Sequence, residues 1–132
     1  MQGYDSIILQ NKKVVAAHND FGTQGEDIAI QYLRTKGYDI LDKNWRSGHK
    51  EIDIVARKDD TIVFVEVKAR ANVFYGQPED AVDFRKMRNL INAADAYLRL
   101  YMIDLPCRFD VITITGAVQN PYICHIEQAF RP

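Results

Sequence analysis

The pattern of hydrophobic and polar residues along the chain predicts two helices. Apolar residues recur at helical spacing in "NDFGTQGEDIAIQYLRTK", from about Asn19 to Lys36, and Gly37 suits the helix end. A second helix is predicted from about Pro78 to Tyr101, because proline fits a first helical turn and apolar residues follow at spacings of three and four. The expected core positions are Ile28, Ala29, Tyr32 and Leu33 in the first helix and Met87, Leu90, Ile91, Ala94, Leu98 and Tyr101 in the second.

Five strands are predicted around these helices. They are "YDILDKNWR" (38–46), the two arms of "GHKEIDIVARKDDTIVFVEVKAR" (48–70), "CRFDVITIT" (107–115) and "YICHIEQ" (122–128). The resulting order, α-β-β-β-α-β-β, predicts an α/β (α+β) fold with a mixed central sheet flanked by helices. Residues 1–18 show no clear period, so we expect an N-terminal extension before a single domain over residues 19–132.

The hairpin places charged residues in its apolar strands. If its turn centres on Asp59-Asp60, the residue numbers of every cross-strand pair sum to 119, and Asp53 lies opposite Glu66. Because side chains alternate along a strand, Glu51 and Lys68 then share the face of Asp53 and Glu66, together with Ile62 and Phe64. Val63, Val65 and Val67 point to the other face, with Ile52 and Ile54 beside them.

Facing carboxylates repel each other, whereas a divalent cation turns the repulsion into coordination. Mg²⁺ is typically held by one or two carboxylates and keeps several waters. The pair Asp53–Glu66 therefore predicts a metal site, and Lys68 is placed to hold a phosphate or position a water. The alternative is an exposed sheet face with salt bridges such as Glu51–Lys68, but Ile62 and Phe64 predict that this face is partly covered.

Composition and charge are those of one ordinary globular domain. The 132 residues carry a net charge of −1 with a pI near 6.3, so no global positive field indicates a nucleic-acid partner. Basic residues do gather between Lys43 and Arg70, but such a run is usually only a solvated face. We expect no membrane span, no signal peptide and reduced thiols at Cys107 and Cys124, hence a cytoplasmic protein.

Asp53, twelve intervening residues and then Glu66-Val67-Lys68 resemble the D-(x)n-E-x-K signature of the PD-(D/E)XK nuclease superfamily, although Ile52 replaces the familiar proline. Longer agreement, over roughly residues 21–130, is with the bacterial YraN family. It lies in "GEDIAIQYLRTKGYDILDKNWR", "EIDIVARKDDTIVFVEVKAR", "YGQPEDAVDFRKMRNL", "RFDVITI" and "HIEQAF". That family resembles archaeal Holliday-junction resolvases, which implies a restriction-endonuclease-like core and a homodimer.

The resemblance also implies roles for individual residues. Asp53 and Glu66, aided by the backbone carbonyl of Val67, would hold Mg²⁺ or Mn²⁺, and Lys68 would act on the attacking water or on the phosphate. Glu26 matches a helix glutamate that joins the metal site of junction resolvases. It also completes a capping box, Thr23-Gln24-Gly25-Glu26, which is a competing local role.

Two basic residues are candidates for binding nucleic acid. Arg70 shares the face of Glu66 and Lys68, and Lys86 matches a helix lysine of the family pattern, although exposed helix lysines are usually only solvated. We therefore expect a metal-dependent endonuclease acting on DNA, including branched or junction DNA. An alternative is a nucleic-acid-binding accessory protein that keeps the nuclease fold without activity, and a plain interaction domain would require the Asp53–Glu66 pairing to be accidental.

Overall fold

The computed structural model describes residues 17–70, 84–117 and 119–132, and for residues 17–23 the backbone alone. The elements are α1 (Ala17–Thr35), β1 (Asp39–Ser47), β2 (Lys50–Lys58), β3 (Thr61–Arg70), α2 (Phe84–Leu100), β4 (Cys107–Thr115) and β5 (Tyr122–Phe130). This order confirms the predicted α-β-β-β-α-β-β arrangement. The predicted helix start at Pro78 and residues 1–16 lie outside the described residues, so the boundary at residue 18 stays a prediction.

The five strands form one mixed sheet in the order β1-β2-β3-β4-β5. Neighbouring strands are antiparallel except β3 and β4, which run parallel from Ile62–Cys107 to Arg70–Thr115. A parallel pair needs a long crossover connection, and α2 lies in the segment that supplies it. No helix within the described ranges is long and apolar enough to cross a membrane.

Each helix covers one side of the sheet, and we call these sides the α1 face and the α2 face. On the α1 face, Ala29 and Leu33 of α1 pack on a buried cluster that includes Ile54, Val65 and Ile112. On the α2 face, the buried side chains of α2 pack in a second cluster with strand side chains. Those of α2 are Leu90, Ala93, Ala94 and Tyr97, and the strand residues include Ile62, Phe64 and Phe109. The alternating strand side chains therefore contribute to two hydrophobic cores, one on each side of the sheet, as expected for a sheet between two helices.

The hairpin register is confirmed over most of its length. Pairs from Lys58–Thr61 to Ile54–Val65 all sum to 119, and Asp59 occupies the turn with a φ of 53°. The ladder then stops, so the predicted direct pairing of Asp53 with Glu66 and of Glu51 with Lys68 is wrong. The physical reason is local, because the backbone N–H of Val67 donates to Asp53 Oδ2 at 2.9 Å.

Ile52 was predicted beside Ile54, but it packs in the cluster of Ile62 and Phe64 on the α2 face. Its partner Trp45 on β1 packs in the same cluster, and the residue before Trp45, Asn44, has a φ of 52°. A left-handed residue interrupts the regular alternation of a strand. The strands are thus irregular at Asn44 and at Asp53, and the side chain of Ile52 lies on the α2 face.

The predicted helix cores are largely confirmed, with three omissions. Ala29, Leu33, Leu90 and Ala94 are buried, whereas Tyr101 follows the end of α2 and is half-exposed. The omitted residues are Ile30, Ala93 and Tyr97, all buried. The burial of Tyr97 leaves its hydroxyl paired, because that hydroxyl donates to Asp42 Oδ2 at 2.8 Å.

Asp110 organises the far edge of the sheet. It is fully buried and accepts two hydrogen bonds from the Arg108 guanidinium at 2.9 Å and one from the Gln128 N–H at 3.0 Å, and it lies 2.7 Å from His125 Nε2. Burial works to raise the pKa of Asp110, but these hydrogen bonds outweigh it and hold the pKa below its usual range. The carboxylate thereby ties β5 to β4 at the irregularity between Phe109 and Val111.

Candidate metal centre

A cavity of about 510 Å³ opens where β2 and β3 separate, and both helices contribute to its wall. The divergence of the hairpin strands after Ile54–Val65 creates the space. Six of the seven predicted site residues line this one cavity: Glu26, Asp53, Glu66, Val67, Lys68 and Lys86. Residues from α1, β2, β3 and α2 that are up to sixty positions apart in the chain therefore meet at one place.

Asp53 is the most strongly perturbed acid of the cavity. Burial raises its pKa to about 6, the charge of Glu66 adds to the rise, and the hydrogen bond from the Val67 N–H opposes it. The two carboxylates therefore act on each other electrostatically although they are not paired in the ladder. Asp53 and Glu66 thus line the same cavity, although the β2–β3 ladder does not pair them directly.

Glu66 lies between two lysine ammonium groups on the α2 face. Its Oε2 is 3.4 Å from Lys86 Nζ and 3.9 Å from Lys68 Nζ, and the side chains of Glu66 and Lys68 are both mostly buried. Burial lowers the pKa of Lys68, and the hydrogen bond with Lys86, the charge of Lys86 and the charge of Arg70 lower it further. That hydrogen bond also raises the pKa of Lys86. Lys68 is therefore the lysine of the pair that gives up a proton more readily.

Glu26 lies well inside α1, which begins at Ala17, so the predicted capping box is wrong: Thr23 has helical backbone on both sides. Burial raises the pKa of Glu26 and the charge of Asp53 raises it further, against a hydrogen bond from Asn44. The neighbouring Gly25 explains this position, because a Cβ there would lie 2.6 Å from the Cβ of Ala69. A glycine lets α1 approach β3 closely enough to bring Glu26 to the cavity.

Arg70 is the one predicted site residue that is not in the cavity wall. It ends β3, is exposed, and stands two residues beyond Lys68 on the same face. Residues that sequence reasoning did not choose also line the cavity, among them His49, Glu51 and Asn89. Asn89 lies three residues after Lys86 on α2, a helical spacing that could have indicated it.

The donor set suits a hard divalent cation with few protein ligands. Within the described ranges, no group of three or more His, Cys, Asp or Glu side chains is arranged to hold a metal ion. Asp53 and Glu66 are two oxygen donors, and Val67 brings its backbone to the same cavity. Two carboxylates completed by waters are the ligand set that Mg²⁺ prefers, so the residues present fit the predicted metal.

The fold and the cavity together define an α+β protein with the restriction-endonuclease-like core order, a mixed five-stranded sheet between two helices. The chain belongs to the uncharacterised protein family UPF0102, the YraN family, whose model matches residues 25–114. That range runs from Gly25 to Ile114 and contains every predicted site residue.

Several members of this family align with most of the chain. A UPF0102 protein of Bacteroides thetaiotaomicron is 50% identical over 118 residues, which cover 89% of this chain and 98% of the relative. A UPF0102 protein of Phocaeicola vulgatus is 49% identical with the same coverage. One of Flavobacterium psychrophilum is 40% identical over 116 residues, covering 88% of this chain and 98% of the relative.

Proposed function

We propose that this protein is a metal-dependent nuclease that hydrolyses phosphodiester bonds in DNA, including branched DNA. The observation that carries the proposal is the meeting of Asp53, Glu66 and Lys68 in one cavity, where burial and mutual repulsion raise the pKa of Asp53 to about 6. Two partly buried acids held together cost stability in the metal-free chain, and a bound cation removes that cost.

The chemistry of each side chain gives it a different proposed role at the site. Asp53 and Glu66 would hold Mg²⁺ or Mn²⁺, with the Val67 carbonyl as a further ligand, and Glu26 would influence the site through its charge beside Asp53. When bound, the metal supplies Lewis-acid polarisation of the phosphate and a lowered pKa for a bound water. Lys68, mostly buried and 3.9 Å from Glu66, orients the attacking water or stabilises the charge that develops on the phosphate.

Lys86 has a different place in this scheme. Its ammonium group contacts Glu66 Oε2 at 3.4 Å from α2, with half of its side chain exposed at the cavity wall. A cation at this position can bind a phosphate oxygen of the substrate, and it supports the lowered pKa of Lys68. We assign Lys86 to substrate binding and Lys68 to the chemical step.

The proposal is tested with a cleavage assay on linear, single-stranded, flapped and four-way-junction DNA with Mg²⁺ or Mn²⁺. We expect metal-dependent cutting by the wild type and a loss of at least about a hundredfold in Lys68→Ala, since a group acting in the transition state is removed. Lys58→Ala, at the opposite end of the hairpin, is the matched control and should cut normally.

Gel-shift binding on the same substrates separates the possible outcomes. Cutting that persists in Lys68→Ala would contradict the assigned chemistry. Wild-type protein that binds branched DNA yet cuts nothing with either metal would instead support an accessory nucleic-acid-binding protein. Failure both to bind and to cut would overturn the nucleic-acid assignment.

A further inference from the structure

A second concave surface, which we call the α2–β5 groove, lies between α2 and the end of β5. Its volume is about 410 Å³, and Phe84, Met87, Arg88, Ile91, Phe130 and Arg131 line it. Phe84 is 70% exposed, so an aromatic ring stands open to solvent in a mainly apolar wall. An exposed apolar groove of this size is typical of a binding site.

The charged side chains of the groove are both positive. Among the described residues, no acidic side chain lines it, and Arg88 and Arg131 are exposed. Arg131 contacts the side-chain oxygen of Gln128 at 3.5 Å, and the guanidinium carbon of Arg88 lies 5.2 Å from the centroid of the Phe84 ring. Neither arginine forms an ion pair with an acid in the described ranges. Two cations beside apolar rings complement an anionic partner that also carries flat apolar groups.

A single-stranded segment of nucleic acid has both of these features. Unpaired bases stack on aromatic side chains and on arginine, while cations bind the phosphates that flank them. The Arg88 guanidinium already lies over the Phe84 ring, so a base that stacks on the exposed part of this ring extends an existing stack. The bases of a duplex are already paired and stacked on each other, so the groove favours unpaired nucleotides.

α2 connects the groove with the candidate metal centre. Lys86 and Asn89 line the cavity, whereas Arg88 lines the groove. At about 100° per residue around the helix axis, the exposed Arg85 lies between Asn89 and Arg88. The first acidic residue within α2 is Asp95, more than two turns from its start. A DNA strand that leaves the cavity across α2 therefore meets only neutral and basic helix side chains before it reaches the groove.

We propose that the α2–β5 groove holds an unpaired nucleotide of the DNA substrate, with its base stacked on Phe84 and its flanking phosphates bound by Arg88 and Arg131. The proposal rests on the proposed nuclease function and adds the substrate class, which is DNA with a single-stranded segment next to the cut, such as a flap or an overhang. A blunt duplex makes its contacts at the cavity alone.

The test compares a fluorescein-labelled blunt duplex with the same duplex carrying a short oligothymidine overhang, by anisotropy in EDTA. The wild type should bind the overhang DNA more tightly, and Phe84→Ala should weaken this binding by roughly tenfold or more, the value of one base–aromatic stack. Phe84→Leu, which keeps an apolar side chain without a ring, should lose the same affinity, whereas Phe84→Tyr should retain it. None of these variants should change binding of the blunt duplex.

The charge and the position of the groove are tested separately. Arg88→Gln should make the salt dependence on overhang DNA shallower by about 0.7, the value of one single-strand phosphate contact. Arg99→Gln, exposed on the same helix, should leave it unchanged. Oligothymidine should quench the fluorescence of Phe84→Trp, because a base stacks on the indole, and should not quench that of Tyr122→Trp at the other end of β5.

The outcomes separate this proposal from the nuclease proposal. Equal wild-type affinity for the two DNAs would overturn the groove assignment and leave the nuclease intact. Phe84→Leu that binds like the wild type would also overturn it, in favour of an acidic peptide with an apolar anchor. A dimer in light scattering that Phe84→Ala dissociates would assign the groove to a second copy instead. Wild-type protein that prefers overhang DNA but never cuts it with Mg²⁺ or Mn²⁺ would support the groove and overturn the nuclease, and failure to bind any DNA would overturn both.

Discussion

Among single residues, Asp53 has an environment that both stabilises and destabilises its ionised carboxylate. Its carboxylate accepts the Val67 N–H at 2.9 Å, which fixes the end of the β2–β3 ladder. Burial and the charge of Glu66 nevertheless raise its pKa to about 6. The ionised side chain that the proposed metal site requires is thus unfavourable in the metal-free protein.

This conflict predicts the effect of Asp53→Asn on stability in EDTA. Because the folded pKa lies above the unfolded value, ionisation of Asp53 destabilises the fold fully above about pH 6 and not at all below about pH 4. Urea unfolding at pH 8 should show the variant more stable by up to about 3 kcal/mol, since each pKa unit corresponds to about 1.4 kcal/mol and asparagine keeps an acceptor for Val67.

The advantage of Asp53→Asn should vanish as the pH falls towards 4. Asp104→Asn, at an exposed position, serves as the control and should leave the unfolding free energy at pH 8 nearly unchanged. A variant that is less stable than the wild type at pH 8 would show that the carboxylate is held by interactions stronger than the repulsion from Glu66.

At the scale of elements, the close approach of α1 to β3 decides whether Glu26 reaches the cavity. Gly25 is buried against Ala69, and a methyl group there would come within 2.6 Å of the Ala69 Cβ. Alanine has the higher helix propensity by about 1 kcal/mol, so an isolated helix would gain from the substitution. The contact with β3 opposes that gain.

We predict that Gly25→Ala lowers the unfolding free energy by about 1–3 kcal/mol, the usual cost of overpacking. It should also reduce cleavage, because α1 must move away from β3 and carry Glu26 with it. The double variant Gly25→Ala/Ala69→Gly restores the space and should recover most of the loss in chemical denaturation. A stable and fully active Gly25→Ala would show that the helix position is unimportant for the site.

The order of the elements and most of the hairpin could be predicted from the sequence, whereas the end of the hairpin ladder could not. The helix and strand order, the turn at Asp59 and the register of the hairpin follow from local patterns of apolar and turn residues. The end of the ladder does not, because it depends on a side chain, Asp53, that replaces a backbone partner for Val67. Glu26 was ambiguous because the capping pattern is local, whereas α1 begins at Ala17 and only the tertiary contact of Gly25 with Ala69 brings it close to β3.

At the scale of the whole molecule, the net charge of −1 leaves nucleic-acid binding to a few local contacts. The cations expected to contact phosphates of double-stranded DNA are Lys68 and Lys86 in the cavity wall and Arg70 at the end of β3. Each phosphate contact of double-stranded DNA contributes about −0.9 to the slope of log Kobs against log salt, so three contacts predict a slope near −2.7. Binding should therefore weaken with salt less steeply than in strongly basic DNA-binding proteins.

Anisotropy titrations of double-stranded DNA over a range of salt concentrations measure this slope. Arg70→Ala should make it shallower by about 0.9. Arg99→Ala, on the exposed side of α2 where Arg99 pairs with Asp95 at 3.1 Å, should leave it unchanged. A much steeper wild-type slope would indicate a larger basic surface than the one proposed.

Calorimetric titration of the metal-free protein with Mn²⁺ tests the proposed metal centre most directly. We expect one site per chain in the wild type and in Lys68→Ala, and a large loss of affinity in Asp53→Asn and in Glu66→Gln, which each remove one anionic ligand. No uptake of Mn²⁺ by the wild type, or uptake that Asp53→Asn leaves unchanged, would contradict a metal centre between these two carboxylates.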